Sequence, residues 1–124
     1  MRVEEIAGRR VLFFAEEGRL LASTGDTNDF ISDVWPQNAD MTAIPLSRLG
    51  PDFLKLSTRL AGEAIQKFVN YGIPLVILGD VTQPAAQSGA LRDFIYESNK
   101  GKAVWFLPDA DADALRGRLT GTAP

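Results

Sequence analysis

The chain contains no cysteine and no histidine among its 124 residues. Without thiols it can form no disulfide, no thiolate nucleophile and no cysteine-ligated zinc site. Without imidazole it lacks the one side chain that ordinarily titrates near neutral pH, which excludes serine–histidine and cysteine–histidine catalysis within a single chain. These two absences favour a protein that is not an enzyme and holds no cofactor.

Positive charge is also scarce, since 13 Lys and Arg residues stand against 16 Asp and Glu, for a formal net charge of −3. Nucleic acids are bound by basic surfaces, so a nucleic-acid partner is not expected. No apolar run approaches the roughly 20 residues that span a bilayer. The opening MRVEEIAGRR has acids where a secretory signal has its apolar core, and we therefore predict a cytoplasmic protein with no membrane association.

The motifs that hold phosphates or metals are missing as well. The chain has neither G-x-x-x-x-G-K-[ST] nor G-x-G-x-x-G, so nucleotide binding by those routes has no support. Asp109, Asp111 and Asp113 alternate with alanine, but the glycine and glutamate that a calcium loop requires are not placed correctly. We predict no metal site.

Short apolar runs rich in β-branched and aromatic residues predict strands. These runs are RVEEI (2–6), VLFFA (11–15), TAIPL (42–46), IPLVILG (73–79) and AVWFL (103–107), with RLLAS (19–23) as a further short strand. IPLVILG is continuously apolar, which is typical of a central parallel strand covered on both faces.

Helical spacing of apolar residues predicts four helices. They begin near Thr24, at Ser57-Thr58, near Ser88 and after Pro108, while VTQPAAQSG (81–89) is predicted to be a loop. The alternation of strands and helices predicts one α/β domain over residues 1–120, with a mixed sheet of four to five strands flanked by about four helices. Residues 121–124 are predicted to form a tail.

Two phrases in the second half carry a resemblance to a known family. The stretch FLKLSTRLAGEAIQKFVNYGIPLVILGD (53–80), followed by LRDFIYESNKGK (91–102), resembles the bacterial family named domain of unknown function 4180. The most specific parts are QKFVNY and DFIYESNKG. The resemblance covers about residues 50–107 and implies no activity.

The order of elements is similar to that of the STAS domain (sulfate transporter and anti-sigma factor antagonist). In that domain a D-S-S/T-G-like stretch precedes a helix, and its Ser or Thr is phosphorylated. Ser57 and Thr58 match the two hydroxyl positions, whereas Leu56 stands in place of the acid and Arg59 in place of the glycine. The resemblance implies a regulatory domain that binds another protein and is switched by phosphorylation.

Two roles are open for Ser57 and Thr58. A hydroxyl at the start of a helix can cap it, which stabilises the helix by about 1 kcal/mol. Alternatively, Ser57 or Thr58 is a phosphoacceptor, with the phosphate placed at the positive end of the helix dipole beside Arg59. We expect a protein partner to bind around these residues.

A second hypothesis is a small-ligand-binding domain or cryptic enzyme. Ligands bind beyond the carboxyl ends of parallel strands, where Asp80, Ser88 and Asp109 are expected to meet. Each of these residues can instead shape its own loop. A third hypothesis is a homodimer formed through exposed apolar surface around Phe53, Leu54 and Leu56.

Overall fold

The computed structural model describes residues 1–108 and 113–120, and in it five strands form one mixed sheet. They are β1 (Arg2–Ile6), β2 (Arg9–Phe13), β3 (Met41–Pro45), β4 (Leu75–Leu78) and β5 (Val104–Leu107), and they lie in that order. β1 and β2 form an antiparallel hairpin, and β2 to β5 run parallel to one another. The predicted α/β fold with a mixed sheet of four to five strands is confirmed.

Five α-helices connect or follow the strands within the described residues. They are α1 (Thr24–Val34), α2 (Leu60–Asn70), α3 (Thr82–Gln87), α4 (Gly89–Lys100) and α5 (Asp113–Thr120). None of them is long and apolar enough to cross a membrane. The additional helix, α3, occupies the segment that was predicted to be a loop. Pro84 lies in its first turn, where a backbone N–H has no acceptor within the helix and proline is tolerated.

The larger core fills the space between one face of the sheet and helices α1 and α2. Phe30, Ala64 and Phe68 are buried against sheet residues such as Ile44 and Ile77. Phe94 and Ile95 of α4 pack against the same cluster and are half-buried. The apolar residues that recur at helical spacing along α2, Leu60, Ala61, Ala64 and Phe68, are all buried, as that spacing predicts.

The opposite face of the sheet forms a second, smaller core. Val11, Phe13, Met41 and Val76 point to this face and are buried there. Leu115 of α5 is fully buried among them. Every residue of β4 is buried, so the prediction of a central strand covered on both faces is confirmed.

The predicted strand at 19–23 is wrong, because only one isolated bridge, between Leu21 and Leu49, forms there. The Leu21 side chain is fully buried in the larger core. Its apolar character therefore reflects burial beneath a loop and not strand pairing. The predicted tail at 121–124, and the start of the last helix at 109–112, lie outside the described residues.

Candidate functional site

A groove of about 740 Å³ opens at the carboxyl end of the sheet. β3, β4 and β5 are parallel, so the segments that follow them all leave from this end. One wall is the connection between β3 and α2, and the other wall is formed by α3 and the start of α4. The apolar lining residues are Pro51, Leu54, Leu56, Pro84, Ala90 and Leu91, and the polar ones are Lys55, Ser57, Gln83, Gln87 and Ser88.

Lys55 is the one charged residue among the described residues that line this groove. Its ammonium group lies 3.5 Å from the carboxylate of Asp52, which partly offsets the charge. Leu54 and Leu56 are half-buried, and Leu91 is buried at the base. The groove thus presents an apolar floor with neutral hydrogen-bonding groups around it.

Ser57 lies in a single 3-10 turn, Leu56–Thr58, that precedes α2. Its side chain is exposed and makes no hydrogen bond with another described residue. The residue preceding α2 is Arg59, whose backbone is left-handed (φ 65°) and whose side chain makes no capping hydrogen bond, since a guanidinium has no acceptor for the N–H groups of the helix. Of the two hydroxyls expected to cap α2, only that of Thr58 accepts a hydrogen bond from a backbone N–H at the start of the helix, and Ser57 does not take this role.

Thr58, by contrast, holds the turn together. Its hydroxyl oxygen lies 2.8 Å from the carbonyl oxygen of Lys55 and 3.0 Å from that of Asp52, to which it can donate. It also accepts a hydrogen bond of 3.3 Å from the backbone N–H of Leu60, the first residue of α2. Both residues are exposed, but a phosphoryl group on Thr58 would break this arrangement, so Ser57 is the hydroxyl that can be modified without loss of these bonds.

The two hydroxyls should therefore respond differently to removal. We expect Thr58→Val to lower the free energy of unfolding by roughly 1 kcal/mol, because the one hydroxyl proton shared by the two carbonyl oxygens and the acceptor of the Leu60 N–H are removed together. We expect Ser57→Ala to change it by less than about 0.5 kcal/mol, as is usual for an exposed side chain without partners. Urea unfolding of both variants measures the difference, and equal losses would contradict the assignment.

Arg59 and Ser88 occupy different surroundings. Arg59 is exposed and does not line the groove, although it directly follows the Ser57 turn. Ser88 does line the groove, and its hydroxyl caps α4 by accepting a 3.1 Å hydrogen bond from the backbone N–H of Leu91. The structure therefore brings Ser57 and Ser88 together across the groove.

Asp80 is exposed and does not belong to the groove lining. Its carboxylate accepts a 2.9 Å hydrogen bond from the backbone N–H of Thr82. Hydrogen bonds from the Thr82 side chain and backbone lower the pKa of this carboxyl group below its usual value. In the structure Asp80 shapes the turn before α3. Asp109 lies outside the described residues.

The apolar cluster proposed as a dimer surface is divided between two places. Phe53 is completely buried in the larger core. Leu54 and Leu56 are half-buried and line the groove instead. Within residues 1–108 and 113–120, no three acidic side chains come together as metal ligands.

Sequence reasoning missed the wall of the groove that α3 contributes. Gln83, Pro84 and Gln87 line it from that helix. The sequence did contain one signal for this helix. In the segment 81–89, Pro84 lies near the start, and no glycine interrupts the segment before Gly89. Proline near the start of such a segment is compatible with a helix as well as with a loop.

Comparison with known proteins gives one match. A family model described as "Domain of unknown function (DUF4180)" matches residues 6–119. No curated protein and no solved structure matches the chain. The comparisons do not confirm a relationship to the STAS domain.

Proposed function

The chain belongs to the family described as Domain of unknown function (DUF4180), and we propose that it is a cytoplasmic, non-enzymatic regulatory module that binds a protein partner beside Ser57. One observation carries the proposal: an exposed serine, which makes no hydrogen bond with another described residue, lies on the wall of an apolar groove. The absence of cysteine and histidine from the whole chain adds support, because it removes the commonest catalytic groups.

The lining of the groove defines the chemistry of the partner segment. Leu54, Leu56 and Leu91 offer apolar contacts, which favour one or two apolar side chains as anchors. Gln83 and Gln87 are exposed on the facing wall and can exchange hydrogen bonds with a peptide backbone. Lys55 is the one charged residue in the described lining, and Asp52 partly offsets its charge. The partner segment therefore needs no strong charge of its own.

Phosphorylation of Ser57 supplies a physical switch for this interaction. A phosphoryl group adds about 1.5 to 2 negative charges at neutral pH. On Ser57 that charge would lie at the rim of an apolar groove, where desolvating it opposes the docking of an apolar side chain. The Thr58 hydrogen bonds would persist, so the turn and the fold would be retained.

The groove itself is tested by filling it. Ala90 is exposed and lines the groove, so Ala90→Trp inserts a large side chain there without touching the buried cores. Proteins that co-purify with the wild-type chain from its native host are identified by mass spectrometry, and the candidate is then purified. Its affinity for the wild-type chain and for Ala90→Trp is measured by calorimetry, and equal affinities would refute docking in the groove.

The switch is tested with the same purified partner. We expect Ser57→Asp to weaken its binding about ten-fold, because a carboxylate at the rim must be desolvated when the apolar segment docks. Ser57→Ala should bind like the wild type. The matched control is Ser32→Asp, since Ser32 is exposed on α1 and does not line the groove.

Unchanged affinity of Ser57→Asp would contradict the switch while leaving the docking groove standing. Phosphate on the peptide that contains Ser57, detected in protein from the native host, would identify the physiological form of the modification. Thermal unfolding of each variant checks that the fold is retained.

The alternative proposal is a small ligand at the carboxyl ends of the strands. The groove volume of about 740 Å³ falls within the range of small-molecule pockets. The Ala90→Trp experiment separates the two proposals. A small-molecule function predicts lost ligand binding in that variant with no change in the proteins that co-purify.

A further inference from the structure

A separate pocket of about 400 Å³ lies at the opposite, amino end of the parallel strands. It opens between the starts of β2 to β5 and the last turn of α5. Three cationic side chains line it, Arg9, Lys102 and Arg118, and no acidic side chain of the described residues does so. This local excess of positive charge contrasts with the net charge of −3 of the whole chain.

No ion pair with another described residue offsets the charges that line this pocket. Arg9 and Lys102 make no salt bridge with another described residue. Arg118 donates a hydrogen bond to the backbone carbonyl of Asn99, and its guanidinium lies 4.3 Å from the centre of the Trp105 ring. The hydrogen bond and the ring contact thereby fix the Arg118 guanidinium in position at the pocket.

The remainder of the lining is apolar. Met41 and Leu75 are buried at its base, and Leu119 and Trp105 are half-buried at its sides. The Trp105 indole N–H donates a 2.7 Å hydrogen bond to the carbonyl oxygen of Gly101, which fixes the ring. A rigid aromatic wall beside three cations that make no ion pair with another described residue suits a ligand with both an anionic group and an apolar body.

We propose that this pocket binds a small organic anion, an aromatic carboxylate or phosphate, with its charge on Arg9, Lys102 and Arg118 and its ring on the apolar wall. A simple inorganic anion would leave the apolar wall unused. An acidic peptide would use the charges alone. The site is distinct from the groove beside Ser57, so the two proposals stand or fall separately.

The chain offers a direct optical reporter, because Trp35 and Trp105 are its two tryptophans. Trp35 is 55% exposed, so Trp35→Phe removes it without opening a core and leaves Trp105 as the sole tryptophan. In that background we expect phenyl phosphate to change the fluorescence of Trp105 saturably. Inorganic phosphate and the neutral benzyl alcohol should each bind at least about five-fold more weakly, because each lacks one of the two kinds of contact.

Charge reversal provides the matched pair of variants. Lys102→Glu should weaken phenyl phosphate binding about five-fold or more, since an attractive charge becomes a repulsive one. Lys100→Glu makes the same change two residues away, at a side chain that lies over Tyr96 and outside the pocket lining, and should have little effect. Equal losses in both variants, an equal response to inorganic phosphate, or preferential binding of tetraglutamate would each overturn the proposal.

Discussion

Replacing Gly79 by alanine is expected to lower the free energy of unfolding by about 3 kcal/mol or more. Gly79 follows β4 with a backbone φ of +150°, a conformation that residues other than glycine rarely adopt. A Cβ atom there would lie 2.6 Å from the Cβ of Leu46, which cannot rotate away as the end of a long side chain could. Urea unfolding of Gly79→Ala measures the loss.

The matched control for this substitution is Gly72→Ala. Gly72 also has a positive φ, +69°, but a Cβ there would meet no atom within 4 Å. Gly72→Ala should therefore lower the free energy of unfolding by only about 1 kcal/mol, which is the strain of a positive φ at an alanine. If Gly79→Ala is no more destabilising than Gly72→Ala, the close approach of Gly79 to Leu46 does not matter to stability.

This contact has a consequence for the proposed docking groove. Leu46 begins the segment after β3, and Gly79 begins the segment after β4. The two segments lead to the opposite walls of the groove at the carboxyl end of the sheet. The close contact between Leu46 and Gly79 sets the separation of the two walls at the point where they leave the sheet. A side chain at position 79 would increase this separation and should therefore also alter partner binding.

The second large effect is expected at Arg48, the one charged side chain that is buried among the described residues, with 8% exposure. Its Nε donates a 2.6 Å hydrogen bond to the carbonyl oxygen of Arg19, and Nη1 donates one of 3.1 Å to that of Ala15. The guanidinium also lies 5.1 Å from the centre of the Phe30 ring. Arg48 therefore fastens the loop after β2 to the segment after β3.

We expect Arg48→Met to lower the free energy of unfolding by about 3 kcal/mol, because hydrogen bonds from a charged group to two carbonyl oxygens are lost together. Arg48→Lys should lose most of the same stability, since an ammonium group cannot reproduce the planar fork of donors. Urea unfolding gives the magnitude. Hydrogen exchange should report faster opening at the Leu21 amide, which donates to the carbonyl of Arg48.

Arg10 provides the control for Arg48. It also donates to two backbone carbonyls, those of Asn38 and Gln37, at 3.1 and 2.9 Å, but it is half-exposed. Water can replace the donors that Arg10→Met removes, so a loss of only about 1 kcal/mol is expected. Similar losses for Arg10→Met and Arg48→Met would contradict the importance of burial at Arg48.

Much of the architecture followed from short sequence patterns. The apolar run that became β4 predicted a central strand, and the spacing of Leu60, Ala64 and Phe68 predicted the buried face of α2. Ser88 was predicted to start a helix, and it caps α4. These predictions succeeded because period and capping depend on residues within a few positions of one another.

The errors share a different cause. The segment around Leu21 has the apolar composition of a strand, yet Leu21 is buried in a loop. That loop is hydrogen-bonded to Arg48, which lies 27 positions further along the chain. The turn at Ser57 was predicted to be the first turn of α2, yet the Thr58 hydroxyl bonds to carbonyls of Asp52 and Lys55 that precede it. In both cases the backbone conformation is selected by contacts outside the local pattern.

The sequence alone was enough to predict the α/β class, the succession of five strands and four of the helices along the chain, and the absence of thiol and imidazole chemistry, although it also suggested a strand at 19–23 and missed α3. The tertiary structure was needed to see which hydroxyl makes no hydrogen bond with another described residue, that Ser57 and Ser88 share a groove, and that Arg9, Lys102 and Arg118 line one pocket. The physical reason is that secondary structure follows from local periodicity, whereas a site is formed by side chains that only the packing of separate segments brings together.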